Sequence, residues 1–144
     1  MKEFEIIDFH THPFIEQKSN ICGHKEYCNM SAESTVKTMK ELGVSKICGS
    51  VIWHGDILKN VGNQWDVIKA CNEEALKLRE MYGDFYVMGF HVHPDYVKES
   101  CEEIEKMHKL GINLIGELVP YWHGWNDYSL PAFDEILDTA KQYN

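Results

Sequence analysis

The chain alternates four short apolar runs with four stretches in which apolar residues recur at helical spacing. The apolar runs are nearly continuous, which is typical of parallel strands covered on both faces. A spacing of three or four residues between apolar positions is typical of amphipathic helices. The pattern predicts strands over 5–9, 46–52, 85–90 and 112–119, and helices over 32–42, 64–82, 95–110 and 131–143.

Residues at the helix ends support these boundaries. Ser31 is the expected N-cap of the first helix, and Asp95 is the expected N-cap of the third. Glycine is common at the position that follows a helix. Gly43, Gly83 and Gly111 follow the first three predicted helices. The predicted helices are therefore separate elements joined to strands by short turns.

Repetition of strand and helix predicts an α/β fold with four consecutive βα units, parallel strands and right-handed crossovers. An open doubly wound sheet and part of a (β/α)₈ barrel both fit this pattern. No Gly-rich phosphate motif follows the first strand, which disfavours a dinucleotide-binding sheet. A full barrel needs about 200–250 residues. Four units in 144 residues make half of such a barrel, so we expect a single domain over 1–144.

Composition restricts the classes of partner. The formal net charge of −9 argues against a nucleic-acid surface, because phosphate binding relies on clustered Lys and Arg. Neither a signal peptide nor an apolar run near the ~18 residues of a membrane span is visible. Five cysteines fit a reducing compartment better than a disulfide framework. We expect a cytoplasmic protein that acts on a small molecule.

The histidines are unevenly distributed along the chain. Only His108, of eight histidines, lies inside a predicted helix. The others follow predicted strands, and the carboxyl ends of parallel strands lie on the face where α/β proteins bind ligands. This distribution predicts that they gather on one face. The seven are His10, His12, His24, His54, His91, His93 and His123.

His10 and His12 end the first strand in the segment "IIDFHTHP". Side chains at positions i and i+2 of a strand point to the same side, so both rings can reach one metal ion. Two hydrogen-bonded histidines at a strand end are the alternative. Asp8 lies on the same side and could orient His10 by accepting a hydrogen bond from its ring. A carboxylate bound to nearby backbone is an equal alternative for Asp8.

Glu117 interrupts the apolar run of the fourth predicted strand. Carboxylates are rarely buried unless they are paired or bind metal. Near the carboxyl end of its strand, Glu117 would face the same opening as His10 and His12. We predict that it is a third metal ligand and a catalytic residue, with a buried salt bridge as the alternative.

The third strand ends in a second H-x-H pair, His91 and His93. One of them could act in the site while the other caps the loop. We assign a substrate-binding role to His91 and a catalytic role to His93. His54, Trp122 and His123 follow the second and fourth strands and are predicted to line a substrate pocket, although loop packing explains them equally well.

The segment "CGHKEYC" offers Cys22, His24 and Cys28 as further donors. A structural zinc site usually has four ligands with short C-x₂₋₄-C spacings, and no second half of such a site appears in the sequence. We interpret the segment as a loop insertion.

The segments "IIDFHTHP", "YVMGFHVHPDY" and "LIGELVPY" together resemble the amidohydrolase superfamily, in particular its amidohydrolase-related and TatD-like branches. This resemblance runs in order over the whole chain. It implies a (β/α)₈ barrel in which His10 and His12 ligate a divalent ion and Glu117 joins one or two metals. Family members draw further ligands from histidines on strands five and six and an aspartate on strand eight. Those strands have no counterpart here, so the chain resembles the amino-terminal half.

The resemblance implies a metal-dependent hydrolase in which activated water attacks an amide, ester or phosphoester. Zn²⁺ is the expected ion, with Mn²⁺, Mg²⁺ or Fe²⁺ as alternatives. Two other functions stay open: a metal-dependent decarboxylase of the same superfamily, and a non-catalytic metal- or ligand-binding half-barrel. A homo-oligomer in which a second copy closes the open sheet edges is a further expectation.

Overall fold

The computed structural model describes residues 4–19, 28–52, 62–119, 125 and 127–143. Strands and helices alternate along most of this length, with one additional hairpin after the first strand. The elements in chain order are β1 (Ile6–Thr11), β2 (Glu16–Ser19), β3 (Cys28–Ser31), α1 (Ala32–Glu41), β4 (Val44–Gly49), α2 (Gln64–Tyr82), β5 (Tyr86–Phe90), α3 (Val97–Lys109), β6 (Leu114–Ile115) and α4 (Pro131–Lys141).

Four strands form one parallel sheet in the order β1-β4-β5-β6. Each neighbour in the sheet is also the next of these strands along the chain, as in the wall of a (β/α) barrel, whereas a doubly wound sheet reverses its order. The structure therefore confirms the predicted α/β fold, with four parallel strands in a curled half-barrel.

The last strand is shorter than the predicted run over 112–119. Only Leu114 and Ile115 pair with β5, although the Gly116 N–H donates one further bond to the Phe90 carbonyl at 2.9 Å. Gly116 has a φ of 145°, which lies outside the strand conformation of other residues. The chain therefore leaves the ladder just before Glu117.

The two predicted N-caps have different outcomes. The Ser31 Oγ accepts a hydrogen bond from the Ser34 N–H at 3.2 Å, so the first cap is confirmed. The second is wrong, because a 3₁₀ turn over Pro94–Tyr96 precedes α3 and contains Asp95. Proline favours the first turn of a helix, and the cap of this turn is His93, whose Nδ1 accepts the Asp95 N–H.

The hairpin of β2 and β3 was not predicted. Its strands pair antiparallel, with Glu16 opposite Ser31. The sequence of β2, "EQKS", has no apolar residue, so it lacks the alternating pattern by which a half-buried strand is predicted. The predicted loop insertion falls largely on residues 20–27, which lie outside the described residues.

The core lies between the sheet and the helices. It is formed mainly by inner residues of β4 and β5 and by the apolar faces of α2 and α3. β1 differs, because its apolar side chains are exposed, with Phe9 73% accessible. The buried core includes Ile47, Val67, Cys71, Ala75, Leu78, Tyr86, Met88, Phe90, Ile104 and Met107.

No helix among the described residues is both long enough and apolar enough to cross a membrane.

Candidate metal centre

His10, His12 and Glu117 come together at the carboxyl ends of β1 and β6. One potential ligand atom from each residue lies within 4.8 Å of the other two. The Glu117 Oε2 is 3.2 Å from the Nε2 of His10 and 3.2 Å from the Nε2 of His12. The imidazole planes are nearly perpendicular, with ring centroids 5.2 Å apart. The carboxyl ends of two strands that are far apart in the sequence thus bring three donor atoms together.

The orientation of His12 identifies its donor atom. Its Nδ1 lies 3.1 Å from the Ser50 carbonyl oxygen, which can only accept a hydrogen bond, so Nδ1 carries the proton. The Nε2 of a neutral ring then has a lone pair directed at Glu117. A metal-binding histidine commonly donates its other N–H to a backbone carbonyl in this way.

The donor set fits a divalent cation. In a neutral His12 the Nε2 lone pair faces the negatively charged Glu117 Oε2, and a cation shared by both atoms would remove this repulsion. Two imidazole nitrogens and one carboxylate oxygen are ligands of Zn²⁺ and of other first-row metals such as Mn²⁺ and Fe²⁺. The group can therefore hold a metal ion.

The main chain of Glu117 is held on both sides. Its N–H donates to the Ser50 Oγ at 2.9 Å. Its carbonyl oxygen lies 3.2 Å from the Nδ1 of His91, whose Nε2 lies 2.8 Å from the Val51 carbonyl. Residues that follow β4 and β5 thus fix the backbone from which the carboxylate projects.

Two glycines allow the strand ends to approach each other near this group. A Cβ at Gly49 would overlap with the carbonyl of Thr11, and the φ of Gly49 is 153°. A Cβ at Gly89 would lie 2.7 Å from the Gly116 carbonyl oxygen. Any side chain at these positions would push β1 or β6 away from the neighbouring strand.

The site opens on a cavity of about 380 Å³. Both the histidine pair and the carboxylate line it, so a small molecule in the cavity could reach all three. The lining residues outside the metal group are Phe9, Thr11, Gly49, Ser50, Leu114, Ile115, Gly116 and Leu118.

Asp8 contacts main chain in this structure. Its Oδ1 accepts a hydrogen bond from the His10 backbone N–H at 3.2 Å, which is the backbone-bound alternative considered for this carboxylate. The predicted bond to the His10 ring is not what the structure shows. Asp8 nevertheless contacts the residue that it was predicted to orient.

His91 is 3% exposed, and both of its ring nitrogens face backbone carbonyls. Burial lowers its pKa, and the carbonyls of Val51 and Glu117 counteract part of that shift. Its own N–H donates to the Asn72 Oδ1 at 2.9 Å. A side chain so enclosed is placed to support Glu117 rather than to contact substrate, so the substrate-binding role has no structural support.

His93 is 1% exposed and caps the 3₁₀ turn. Its ring packs edge-on against Tyr96 and Trp125, with centroids 5.4 and 6.5 Å away. It belongs neither to the metal group nor to the cavity lining given above. The structure therefore separates His93 from the site in which it was predicted to be catalytic. It is the loop-capping member of the second H-x-H pair.

The other predicted pocket residues, His54, Trp122 and His123, lie outside the described residues, and their roles stay predictions. Ser50 was missed by the sequence analysis, although it contacts both His12 and Glu117. The sequence feature that could have identified Ser50 is its position as a small polar residue directly after Gly49, at the carboxyl end of β4.

The geometry defines a half-barrel with a candidate metal group at its strand ends. No protein-family model and no curated protein sequence matches the chain. Among solved structures, the chain is similar to 5-carboxyvanillate decarboxylase from Novosphingobium aromaticivorans, determined with bound manganese and 3-methoxy-4-hydroxy-5-nitrobenzoic acid.

The TM-score of this match is 0.54 at 14% sequence identity, over 76% of this chain. The aligned part spans 32% of the decarboxylase, about a third of its length. At this identity the likeness shows a shared fold.

Proposed function

We propose that the chain forms the metal-binding wall of a metal-dependent enzyme of the amidohydrolase type. The convergence of His10, His12 and Glu117 carries this proposal, since their donor atoms lie within 4.8 Å of one another. The Ser50 carbonyl adds to it by orienting the Nε2 of His12 toward Glu117. The resemblance to the amidohydrolase superfamily and the manganese in the similar decarboxylase support the same chemistry.

The leading activity is hydrolysis of an amide, ester or phosphoester in a small molecule. A divalent ion in this group supplies Lewis acidity and lowers the pKa of water toward about 7. His10 and His12 would hold the ion from the rigid end of β1. The Glu117 carboxylate has two oxygens, so one can bind the ion while the other accepts a proton. Zn²⁺ is the ion we propose first, with Mn²⁺ as the main alternative.

Decarboxylation is the second candidate, because the similar structure is a decarboxylase with manganese bound. The two activities would use the same three ligands. They differ in the reacting group: hydrolysis needs a water beside the substrate, whereas decarboxylation releases CO₂ from an aromatic or unsaturated acid. The accessible cavity beside the ligands can admit either class of small molecule.

A Glu117→Gln variant tests the metal site. The amide keeps the shape of the side chain but removes its charge, so we expect Zn²⁺ and Mn²⁺ to bind at least about tenfold more weakly in calorimetric titration. Glu105→Gln is the control, because Glu105 pairs with Lys109 on the surface of α3. Equal metal affinity in both variants would refute the assignment of Glu117.

An activity panel on the metal-loaded chain separates the candidate reactions. Amides, lactones and phosphoesters report hydrolysis, and aromatic carboxylates with CO₂ detection report decarboxylation. We expect turnover of one class that disappears in Glu117→Gln. Tight metal binding without turnover of any class would instead favour a non-catalytic half-barrel.

We also propose that a second copy of the chain covers the exposed edge of the sheet. Ile6, Ile7 and Phe9 of β1 are accessible, as is Phe4 just before the strand, and an exposed apolar edge strand favours association. Light scattering over a range of concentrations should show a dimer or larger species. A monomer at the highest concentration would contradict this part of the proposal.

A further inference from the structure

Ser50 follows β4 and contacts two of the three candidate ligand residues. Its carbonyl oxygen lies 3.1 Å from the Nδ1 of His12, and its Oγ lies 2.9 Å from the backbone nitrogen of Glu117. We propose that Ser50 is a positioning residue that sets His12 and Glu117 in their metal-binding arrangement. This inference rests on the proposed metal site and concerns how that site is held together.

The hydroxyl of Ser50 replaces a missing strand partner. The ladder between β5 and β6 ends at Ile115, so the Glu117 N–H has no acceptor in the sheet. A buried backbone N–H needs an acceptor, and the Ser50 Oγ provides it. Without this bond, the backbone that carries the Glu117 carboxylate would lose one of its two attachments, the other being the contact with His91.

The carbonyl of Ser50 acts on the other ligand. It accepts the Nδ1–H of His12, which leaves the Nε2 lone pair free for a metal. The close approach of Gly49 to Thr11 brings this part of the chain against β1. One residue therefore fixes the donor atom of His12 and the backbone position of Glu117.

The burial of Ser50 argues against direct chemistry. Ser50 is 1% exposed, so it offers very little of its surface to a molecule in the cavity that it lines. A hydrogen bond to a buried hydroxyl is also stronger than one in water. Its effect on the site would be transmitted through His12 and Glu117.

Ser100 provides a matched control. It is also fully buried, and its Oγ accepts the His93 N–H at 2.9 Å after β5, as the Ser50 Oγ accepts the Glu117 N–H. Ser50→Ala and Ser100→Ala each remove a buried hydroxyl that satisfies a backbone N–H. Only the first loss occurs beside the metal group, so general destabilisation and a specific effect on metal binding can be separated.

The test is titration of the chain with Co²⁺, followed by calorimetry and by the visible absorption of the bound ion. We expect Ser50→Ala to bind Co²⁺ about 10- to 100-fold more weakly than the unmodified chain and with altered absorption bands at saturation. Ser100→Ala should keep both affinity and spectrum. Ser50→Thr keeps the hydroxyl and should recover most of the affinity. Equal affinity in Ser50→Ala and the unmodified chain would overturn the inference.

Amide hydrogen exchange in the unmodified chain tests the same bond without a substitution, should Ser50→Ala fail to fold. The Glu117 amide is expected to exchange slowly, and more slowly still with Co²⁺ bound. Fast exchange in both states would overturn the inference. If Co²⁺ binds equally well after loss of His10 and His12, the proposed metal site itself fails. If Co²⁺ binding requires His10 and His12 but is unchanged by Ser50→Ala, only the proposed role of Ser50 fails.

Discussion

Two segments of the chain share the pattern F-H-x-H-P, "FHTHP" at 9–13 and "FHVHP" at 90–94. Both stand at the carboxyl end of a parallel strand. In the first, the Nε2 atoms of the two histidines lie 3.2 Å from a Glu117 oxygen. In the second, both histidines are buried and contact main-chain groups. One motif thus forms a candidate metal site and the other stabilises the loops around it.

The neighbours of each strand explain the difference. β5 lies in the middle of the sheet, where Asn72 of α2 binds the backbone of His91 and Ser100 of α3 binds that of His93. β1 lies at the edge of the described sheet, and its histidines face an open cavity. An H-x-H pair is therefore available to a ligand only where the surrounding helices leave its rings uncovered.

The largest expected contrast between the segments concerns their phenylalanines. Phe90 is 1% exposed and Phe9 is 73% exposed. Phe90→Ala should lower the free energy of unfolding by about 3–5 kcal/mol, because it leaves a cavity in the core. Phe9→Ala should change it by less than about 0.5 kcal/mol at concentrations low enough for the chain to be monomeric. Urea denaturation of both variants measures the difference.

The result for Phe9 also reports on the edge of the sheet. A large loss of stability in Phe9→Ala that grows with protein concentration would mean that a second copy buries this side chain. A large loss at all concentrations would contradict the exposed position of Phe9 in β1.

A smaller contrast is expected between the histidines. His93→Ala removes the acceptor of the Asp95 N–H and the ring contacts with Tyr96 and Trp125. We expect it to destabilise the chain by about 2–3 kcal/mol. His10→Ala, measured with a chelator present, should cost less than about 0.5 kcal/mol, since the His10 ring is largely exposed. Similar losses of stability in both variants would contradict the distinction between a buried, structural His91–His93 pair and an exposed His10–His12 pair.

The fold was largely predictable because each strand of the parallel sheet and each helix carries its own local signal. Apolar runs and terminal glycines placed four strands and four helices near their observed positions. Glu117 could be selected as a candidate because a buried carboxylate in an apolar run requires a partner, although in the structure it follows β6 and its side chain is 39% exposed. The hairpin of β2 and β3 could not be predicted, since "EQKS" has no apolar periodicity.

The roles of the second histidine pair could not be read from the sequence. His91 and His93 have the same spacing as His10 and His12, and they differ through contacts with α2 and α3 that depend on packing between distant segments. Ser50 was missed for the same reason, because its two partners lie in β1 and after β6. Spacing predicts which side chains share a side of a strand, whereas packing decides which of them reach a ligand.

The most direct test of the central claim is a metal titration that compares the two histidine pairs. The metal-free chain, a His10→Ala/His12→Ala double variant and a His93→Ala variant are titrated with Zn²⁺ and Mn²⁺ by calorimetry. We predict stoichiometric binding to the unmodified chain and to His93→Ala, with affinities within about threefold, and a loss of at least about 100-fold in the double variant. Unchanged stoichiometric binding in the double variant would contradict the account.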